Sequence, residues 1–329
     1  MAIGSGLGSS VGMAPEVTYG TYVAPTRWLE GTSQLRKTKQ VYQGGGMAAG
    51  RMVQPGGRRY VTAQGASGNL ATAVYSRGMG HLLNGLLGGT VTPVQQGATA
   101  AYLQTHTLAD PFGKSYTVQA GVPDLGGTVR PYTYLGCQVT ALELSCETGG
   151  NLTAQWEIVA RDVTEAQTLA APSYATVNEF HFAQAALKLG TYGAEAAVDG
   201  VRSMTLRIER QRHDGGPYMG NAGLRSQGVL NSWTVVGGTI QADYLDKTVF
   251  ADRYAADSST SLVWEFVGPE IAPTYNETFR VRVPMIFFDG DTPTADSPDV
   301  VRTSHPWVGQ HDGTNPVVTV EYLSADTTL

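Results

Sequence analysis

The stretch Gly68-Asn69-Leu70-Ala71-Thr72-Ala73-Val74-Tyr75-Ser76-Arg77-Gly78-Met79 is echoed 170 residues later by Gly238-Thr239-Ile240-Gln241-Ala242-Asp243-Tyr244-Leu245-Asp246-Lys247-Thr248-Val249. Leu70 and Ile240, Val74 and Tyr244, and Met79 and Val249 take equivalent places, and Ser76-Arg77 and Asp246-Lys247 are each a capping residue followed by a cation. Upstream, Leu35-Arg36 matches Leu206-Arg207 and Gly44-Gly45 matches Gly215-Gly216, both at an offset of 171. Order and spacing agree over roughly fifty residues in each half, which reads as a duplicated unit. Gly150-Asn151-Leu152-Thr153-Ala154-Gln155-Trp156 echoes the same passage, so part of the likeness is generic strand chemistry. The alternative is two unrelated strand–helix stretches. Two copies of one unit suit a building block of a ring or array better than a catalyst.

Composition points the same way. The 329 residues are 42% hydrophobic but only 15% charged, with 41 Gly and 16 Tyr. That mixture favours strands and turns over a helical bundle. Sparse charge fits a surface covered by copies of itself, because charged residues are depleted at interface cores. The net charge is −6 and the densest basic stretch is Arg36-Lys37-Thr38-Lys39. A protein that grips duplex DNA carries a basic face, and this chain is not built to hold DNA; something DNA merely passes through would be neutral or acidic. Cys137 and Cys146 make no disulfide framework and read as buried free thiols from a reducing compartment. With no basic leader and no apolar stretch of membrane-spanning length, a soluble product of cytoplasmic synthesis is expected.

Along the chain, residues 1–26 read as an extended arm, 27–163 as a first unit, 164–200 as connector and strand, 201–290 as a second unit, and 291–329 as a C-terminal arm. Two glycine-rich loops stand at equivalent places, 43–58 and 213–232, followed in each half by a strand pair. Ser76 is expected to cap a helix whose apolar face is Met79, Leu82, Leu83, Leu86 and Leu87, ending at Gly88-Gly89. Gly78, Gly80 and Gly85 each weaken it by about 1 kcal/mol against Ala and need a packing reason, such as close approach to a sheet. Asp246 is expected to cap a second helix with Val249, Phe250 and Tyr254 inward. Met204, Leu206 and Ile208 alternate with Arg207, Glu209 and Gln211 on a strand, and Glu147-Thr148-Gly149-Gly150 reads as a hairpin turn.

No catalytic constellation emerges. The six histidines lack metal-ligand spacing and read as surface or interface residues. Gly4-Ser5-Gly6-Leu7-Gly8 follows no strand and is not a nucleotide fingerprint. Asp289, Asp291, Asp296 and Asp299 read as a solvated turn before a cation site. Trp156, Trp233, Trp264 and Trp307 read as core or interface anchors before sugar platforms. No enzyme activity and no cofactor are expected.

The run Gly12-Met13-Ala14-Pro15-Glu16-Val17-Thr18-Tyr19-Gly20-Thr21, followed by Pro25-Thr26-Arg27-Trp28-Leu29-Glu30, resembles the start of the tail tube (major tail) proteins of long, flexible-tailed bacteriophages. The loop ending Ala49-Gly50-Arg51 resembles their inter-ring loop. Gly68-Asn69-Leu70, the Gly78 to Gly88 helix, Ser203-Met204-Thr205-Leu206 and Val283-Pro284 extend the likeness over most of residues 8–290. The resemblance implies an all-β fold with short flanking helices, in duplicated sandwich or barrel units. Their sheets join between subunits into stacked rings that conduct DNA during ejection. It implies a virion protein made in the host bacterial cytoplasm. Its partners would be itself, the tape-measure protein and transiting DNA, the tail terminator and tail-tip proteins. Three chains with pseudo-sixfold symmetry follow from a duplication; six chains are the alternative. Inter-ring candidates are Gly44, Gly45, Gly46, Met47, Arg51, Gly215, Gly216, Tyr218 and Arg225. Gln241 and Asp243 either line the channel or face outward. Competing readings are a capsid-decorating or tail-tip subunit, or a carbohydrate-binding β-sandwich.

Overall fold

A computed structural model describes residues 4–48, 50–213, 215–290, 292–295 and 298–329. In the first half its elements are β1 (Ser10–Pro15), β2 (Arg27–Leu29), β3 (Gly31–Ser33), β4 (Arg36–Gln43), β5 (Arg59–Ala73), α1 (Gly80–Leu87), β6 (Val94–Gln95), β7 (Tyr102–Thr107), β8 (Tyr116–Pro123), β9 (Val129–Glu147), β10 (Thr153–Ala160) and β11 (Asp162–Thr164). The second half holds β12 (Ala185–Thr191), β13 (Ala194–Ala197), β14 (Val201–Glu209), β15 (Val235–Asp243), α2 (Ala251–Ala255), β16 (Thr260–Ala272), β17 (Tyr275–Phe288), β18 (Arg302–Gly309) and β19 (Thr319–Ser324). The fold is all-β with two short helices, and every ladder between these strands is antiparallel.

The two halves share one strand order. In the first, neighbours run β1–β8–β9–β10–β5–β4. In the second they run β12–β16–β17–β18–β15–β14, in the same chain order. Even the registers correspond. Ser33 faces Leu70 and Arg36 faces Ser67; Met204 faces Ile240 and Arg207 faces Gly237. Gly68 faces Ile158, and Gly238 faces Trp307. A Cβ on Gly68 would lie 2.3 Å from the Gln34 carbonyl oxygen, and one on Gly238 2.0 Å from that of Thr205, the residue equivalent to Gln34. Glycine is demanded at both because backbone meets backbone there. Gly238→Ala is expected to destabilise by about 3 kcal/mol or more, since neither main chain has room to yield. Gly45→Ala, with nothing within 4 Å of its Cβ, should be near neutral. Equal melting temperatures for the two variants would remove this account.

β9 and β17 each change partners along their length. β9 pairs with β8 through residues 129–137 and with β10 from Gln138 onward. At the corner Gly136 takes φ +64, and a Cβ would strike the Tyr19 ring at 2.9 Å. β17 changes partner from β16 to β18 near Ile286, next to Pro284, which has no N–H for the ladder. Joined end to end, the halves give an eight-strand run, β4–β5–β10–β9–β14–β15–β18–β17, in which the β9–β14 ladder is the seam. One face of the run buries Leu70, Trp156, Leu142, Leu206, Ile208, Ile240 and Trp307 in a core shared by both halves.

Several expectations change. The segments 1–26 and 291–329 are not arms: β1 buries Val11, Met13 and Ala14, and β18 buries Trp307. β19, within the segment read as a C-terminal arm, pairs with β17 and β7 of its own chain and buries Val320 and Tyr322 fully. The boundaries 27–163 and 201–290 therefore leave out strands that belong to the ladders of each half. The strand pairs expected around Gly65–Gly68 and at 233–245 are single strands, β5 and β15. α1 starts at Gly80, and Ser76 accepts instead from the Asn178 N–H through its Oγ at 3.0 Å. The helix is buried all round, His81 and Asn84 included, so no polar face exists. Gly80 and Gly85 have the packing reason expected: their Cβ atoms would meet Gln104 Oε1 at 2.6 Å and the Tyr116 ring at 2.7 Å, whereas Gly78 lies before the helix, at φ +86, with nothing within 4 Å. Gly88, at φ +83, ends it as expected. The last carbonyls are taken by a buried cation the sequence did not mark. Arg210 Nη1 donates to Leu86 O and Leu87 O, and Nη2 to Ala109 O, each at 2.8 Å. Asp246 closes the turn before α2 by accepting from the N–H groups of Thr248 and Val249.

Three histidines are core residues, which corrects the surface reading. His81, His106 and His305 are buried. Burial lowers His81 to about 4 and His106 to about 3. His305, stacked on Phe250 with centroids 4.3 Å apart, is lowered for the same reason. These groups are held neutral, so their contribution is complete above the unfolded value near 6.5 and is lost as pH falls toward the folded values. Each of His81 and His106 should cost about 1.4 kcal/mol per pH unit in that window. Melting temperature should fall steadily from pH 6.5 to 5, and His106→Gln should flatten the slope. A pH-independent melt over that range would contradict this.

Candidate functional site: the assembly surfaces

The β4–β5 hairpin stands away from the core. All of Arg36–Gln40 is exposed, as is the facing pair Tyr42 and Tyr60. At its end the loop is tied across its neck, with Gly44 N–H donating to Arg58 O at 2.8 Å and Arg58 Nη1 to Gly45 O at 2.8 Å. Gly44, Gly45, Gly46, Met47 and Arg51 occupy this loop; Ala49 lies outside the described residues. Met47, Met52 and Val53 are almost wholly exposed. Three apolar side chains thus stand in solvent on one tip.

The second loop is built differently. It folds back onto the first half: Gln64 N–H donates to Gly223 O at 2.8 Å, Gly228 N–H to Gln138 Oε1 at 3.1 Å, and the Tyr19 hydroxyl to Ser226 O at 3.2 Å. Gly65 leaves space for Arg225, whose Nε a Cβ there would meet at 3.0 Å. Gly215 and Gly216 lie at the base of the loop, half-buried, and Asp214 lies outside the described residues. Only Tyr218 and Met219 are presented at the end of this loop as strongly exposed apolar groups.

The face of the eight-strand run opposite the core is polar. Gln241 and Asp243 both lie on it, alternating with buried Ile240 and Ala242. Asp243 is held by Arg202, whose hydrogen bonds keep its carboxyl below the usual range, and by Arg302 Nε at 3.5 Å. Arg207, on the neighbouring strand, reaches Glu157 at 2.8 Å, Glu209 at 3.3 Å and Glu143 at 3.4 Å. This four-residue network spans three strands and both sides of the seam. Sequence spacing showed only the Arg207–Glu209 member. Acids outnumber cations here, and each of these arginines has an acidic partner.

Among the described residues no three His, Cys, Asp or Glu groups converge as metal ligands; Asp291 and Asp296 lie outside them. Trp156, Trp264 and Trp307 are core residues and offer no stacking platform, whereas Trp233 is exposed. Among the described residues no helix is long and apolar enough to cross a membrane.

A search of curated proteins returns no match. The family model for phage tail tube proteins matches residues 6–309, nearly the whole chain. Such proteins are structural components of the virion tail that assemble with copies of themselves and with other tail parts. The chain belongs to the phage tail tube protein family.

Proposed function

We propose that three chains close into a ring and that stacked rings form the tube through which the genome leaves. The observation that carries this is the eight-strand run, two repeats of four strands with one apolar and one polar face. Closed cyclic symmetry is the default for such head-to-tail contacts. Three chains of eight strands give a barrel of 24, beyond the 16–18 strands that already leave an aqueous channel. The repeat of strand order and register supports a duplicated unit and thus pseudo-sixfold symmetry; a ring of six chains is the alternative. The polar face, with Gln241 and Asp243, lines the channel. Arg202, Arg207 and Arg302 on it are engaged by Glu143, Glu157, Glu209 and Asp243, which weakens the hold they offer phosphates. The exposed tips at Met47 and at Tyr218 meet the next ring. The tape-measure protein fills the lumen before DNA does, and terminator and tip proteins close the two ends. The protein is made in the host bacterial cytoplasm and carries no activity of its own.

Native mass spectrometry with negative-stain microscopy tests the reading: three chains per ring in stacked tubes are expected. Six chains per ring would overturn the trimer, and a stable monomer under assembly conditions would favour a capsid-decorating or tail-tip role. Deleting Gly45–Gln54 should leave a folded chain that makes no long tubes. Gln241→Lys, on an exposed side chain, should leave tubes intact while slowing genome passage.

A further inference from the structure

The seam inside the chain has an open counterpart. At the seam, β14 lies against the last part of β9, with Ser203 facing Glu147, Thr205 facing Ser145, Arg207 facing Glu143 and Glu209 facing Ala141. The equivalents of β14 are β3 and β4, by the shared registers on β5 and β15. Their only ladder among the described residues is with β5, so the other edge of 31–43 carries unpaired backbone groups. The equivalent of β9 is β17, because Val139 of β9 faces Ile158 and Phe288 of β17 faces Trp307, and Ile158 and Trp307 occupy the same place opposite Gly68 and Gly238. β9 runs on past this point to Glu147, whereas β17 stops at Phe288 and Thr292–Ala295 form no strand. Each half of the internal seam thus has a partner-less equivalent elsewhere in the chain.

We propose that residues 292–295 of one copy add as a strand to the β3–β4 edge of the next, in the register that β9 keeps with β14. The inference rests on the ring reading above and identifies which two edges close the ring. Shifting the internal register by the two repeat offsets places Gln34 opposite Thr294, Leu35 opposite Pro293 and Arg36 opposite Thr292. The proline falls where its missing N–H costs nothing. The Leu35 carbonyl already accepts the Tyr134 hydroxyl at 2.6 Å within its own chain. A proline in this segment also discourages indiscriminate pairing, as edge strands commonly require. Arg36 is the equivalent of Arg207 but would meet a threonine where Arg207 meets Glu143, so the second seam is held by main chain and not by the charge network.

The register is testable with a disulfide. The Arg210 N–H donates to Thr140 O, so the hydrogen-bonded pairs of the seam are those at even β9 positions. Thr205 and Ser145 form a non-hydrogen-bonded pair, whose side chains lie closest. Their proposed counterparts are Gln34 and Thr294, both exposed. Native Cys137 and Cys146 are buried, and burial pushes the Cys146 thiol up to about 11, so neither competes under mild oxidation. Full-length Gln34→Cys/Thr294→Cys, assembled and then oxidised, should give covalent oligomers ending at the ring size, at least ten-fold above either single variant. Thr205→Cys/Ser145→Cys should close within one chain under the same conditions. If the double variant assembles poorly, mixing the two single variants should yield covalent dimers. Rings that form without cross-linking, while the internal control closes, would overturn this edge assignment and leave the ring reading standing. A wild-type chain that forms no rings would defeat the ring reading itself.

Discussion

A chain ending at Gly309 is expected not to fold. It would lose Val318, Val320 and Tyr322, all fully buried, and strip both the β17 and β7 edges of their partner. The Tyr322 hydroxyl donates to Tyr75 O at 2.9 Å, and Asp326 accepts from Gly78 N–H at 2.6 Å and Arg77 Nε at 3.1 Å. Core truncations of this kind cost about 2–5 kcal/mol each, and together they consume the roughly 5–15 kcal/mol by which a protein is stable. The single change Tyr322→Ala should be survivable, with a loss of about 3–5 kcal/mol and a melting temperature lower by roughly 10 °C. Circular dichroism and limited proteolysis of the purified monomer decide the matter. A truncated chain with a wild-type cooperative melt would restore the view of this segment as an assembly arm.

Glu16→Ala should be nearly as damaging. Glu16 is buried and accepts four hydrogen bonds: from Gly136 N–H and Gly20 N–H at 2.8 Å, from Ser115 Oγ at 2.7 Å and from Thr117 Oγ1 at 3.1 Å. It ties the segment after β1 to β8 and to the corner where β9 changes partners. Hydrogen bonds to a charged group contribute about 1.5–3 kcal/mol each, and removal orphans donors that water cannot reach. A loss of about 4 kcal/mol is expected for Ala. Glu16→Gln should fall between, because the amide keeps one accepting oxygen: the NH2 end faces either Gly136 and Thr117 or Gly20 and Ser115 and cannot accept from that pair. If Gln and Ala melt alike and near wild type, the carboxylate is not the tie described.

Patterns that are local were legible. The alternation through Met204, Leu206 and Ile208, the turn at Glu147–Gly150 and the Leu-rich helix ending at Gly88 each declare themselves within a few residues. The equivalence of Gly68 and Gly238 was visible as text, though its cause, a carbonyl pressed against each Cα, was not. β1 was missed because Val11 and Met13 are sparse apolar signals in a Gly-, Ser- and Ala-rich stretch. β18 was missed because its inward positions include Thr303 and His305, polar groups made tolerable by their mutual hydrogen bond at 2.7 Å and by the stacked Phe250. Nothing local in the sequence marks Arg210, which is buried, or Arg212, which is half-buried; both are held by helix carbonyls more than a hundred residues away. In the assembly surfaces, glycine runs revealed both loops. That the second folds back on Gln64 and Gln138 depends on contacts between distant segments.

The position of β19 also sets the timing of folding. Its ladder with β7 joins Val320 to His106 across some two hundred residues of sequence. Contacts that distant form slowly because the loop between them must close first. At roughly 5–20 residues per second, a ribosome needs on the order of 10–40 s to supply the missing strand after β7 has emerged. During that interval β7 carries an unfilled edge, and neither half of the nascent chain is finished. Ribosome-bound chains halted near residue 310 should therefore be cut readily by protease, and chains in which β19 has emerged should resist it. The arrival of β19, more than subunit concentration, then decides when a chain first becomes competent to polymerise.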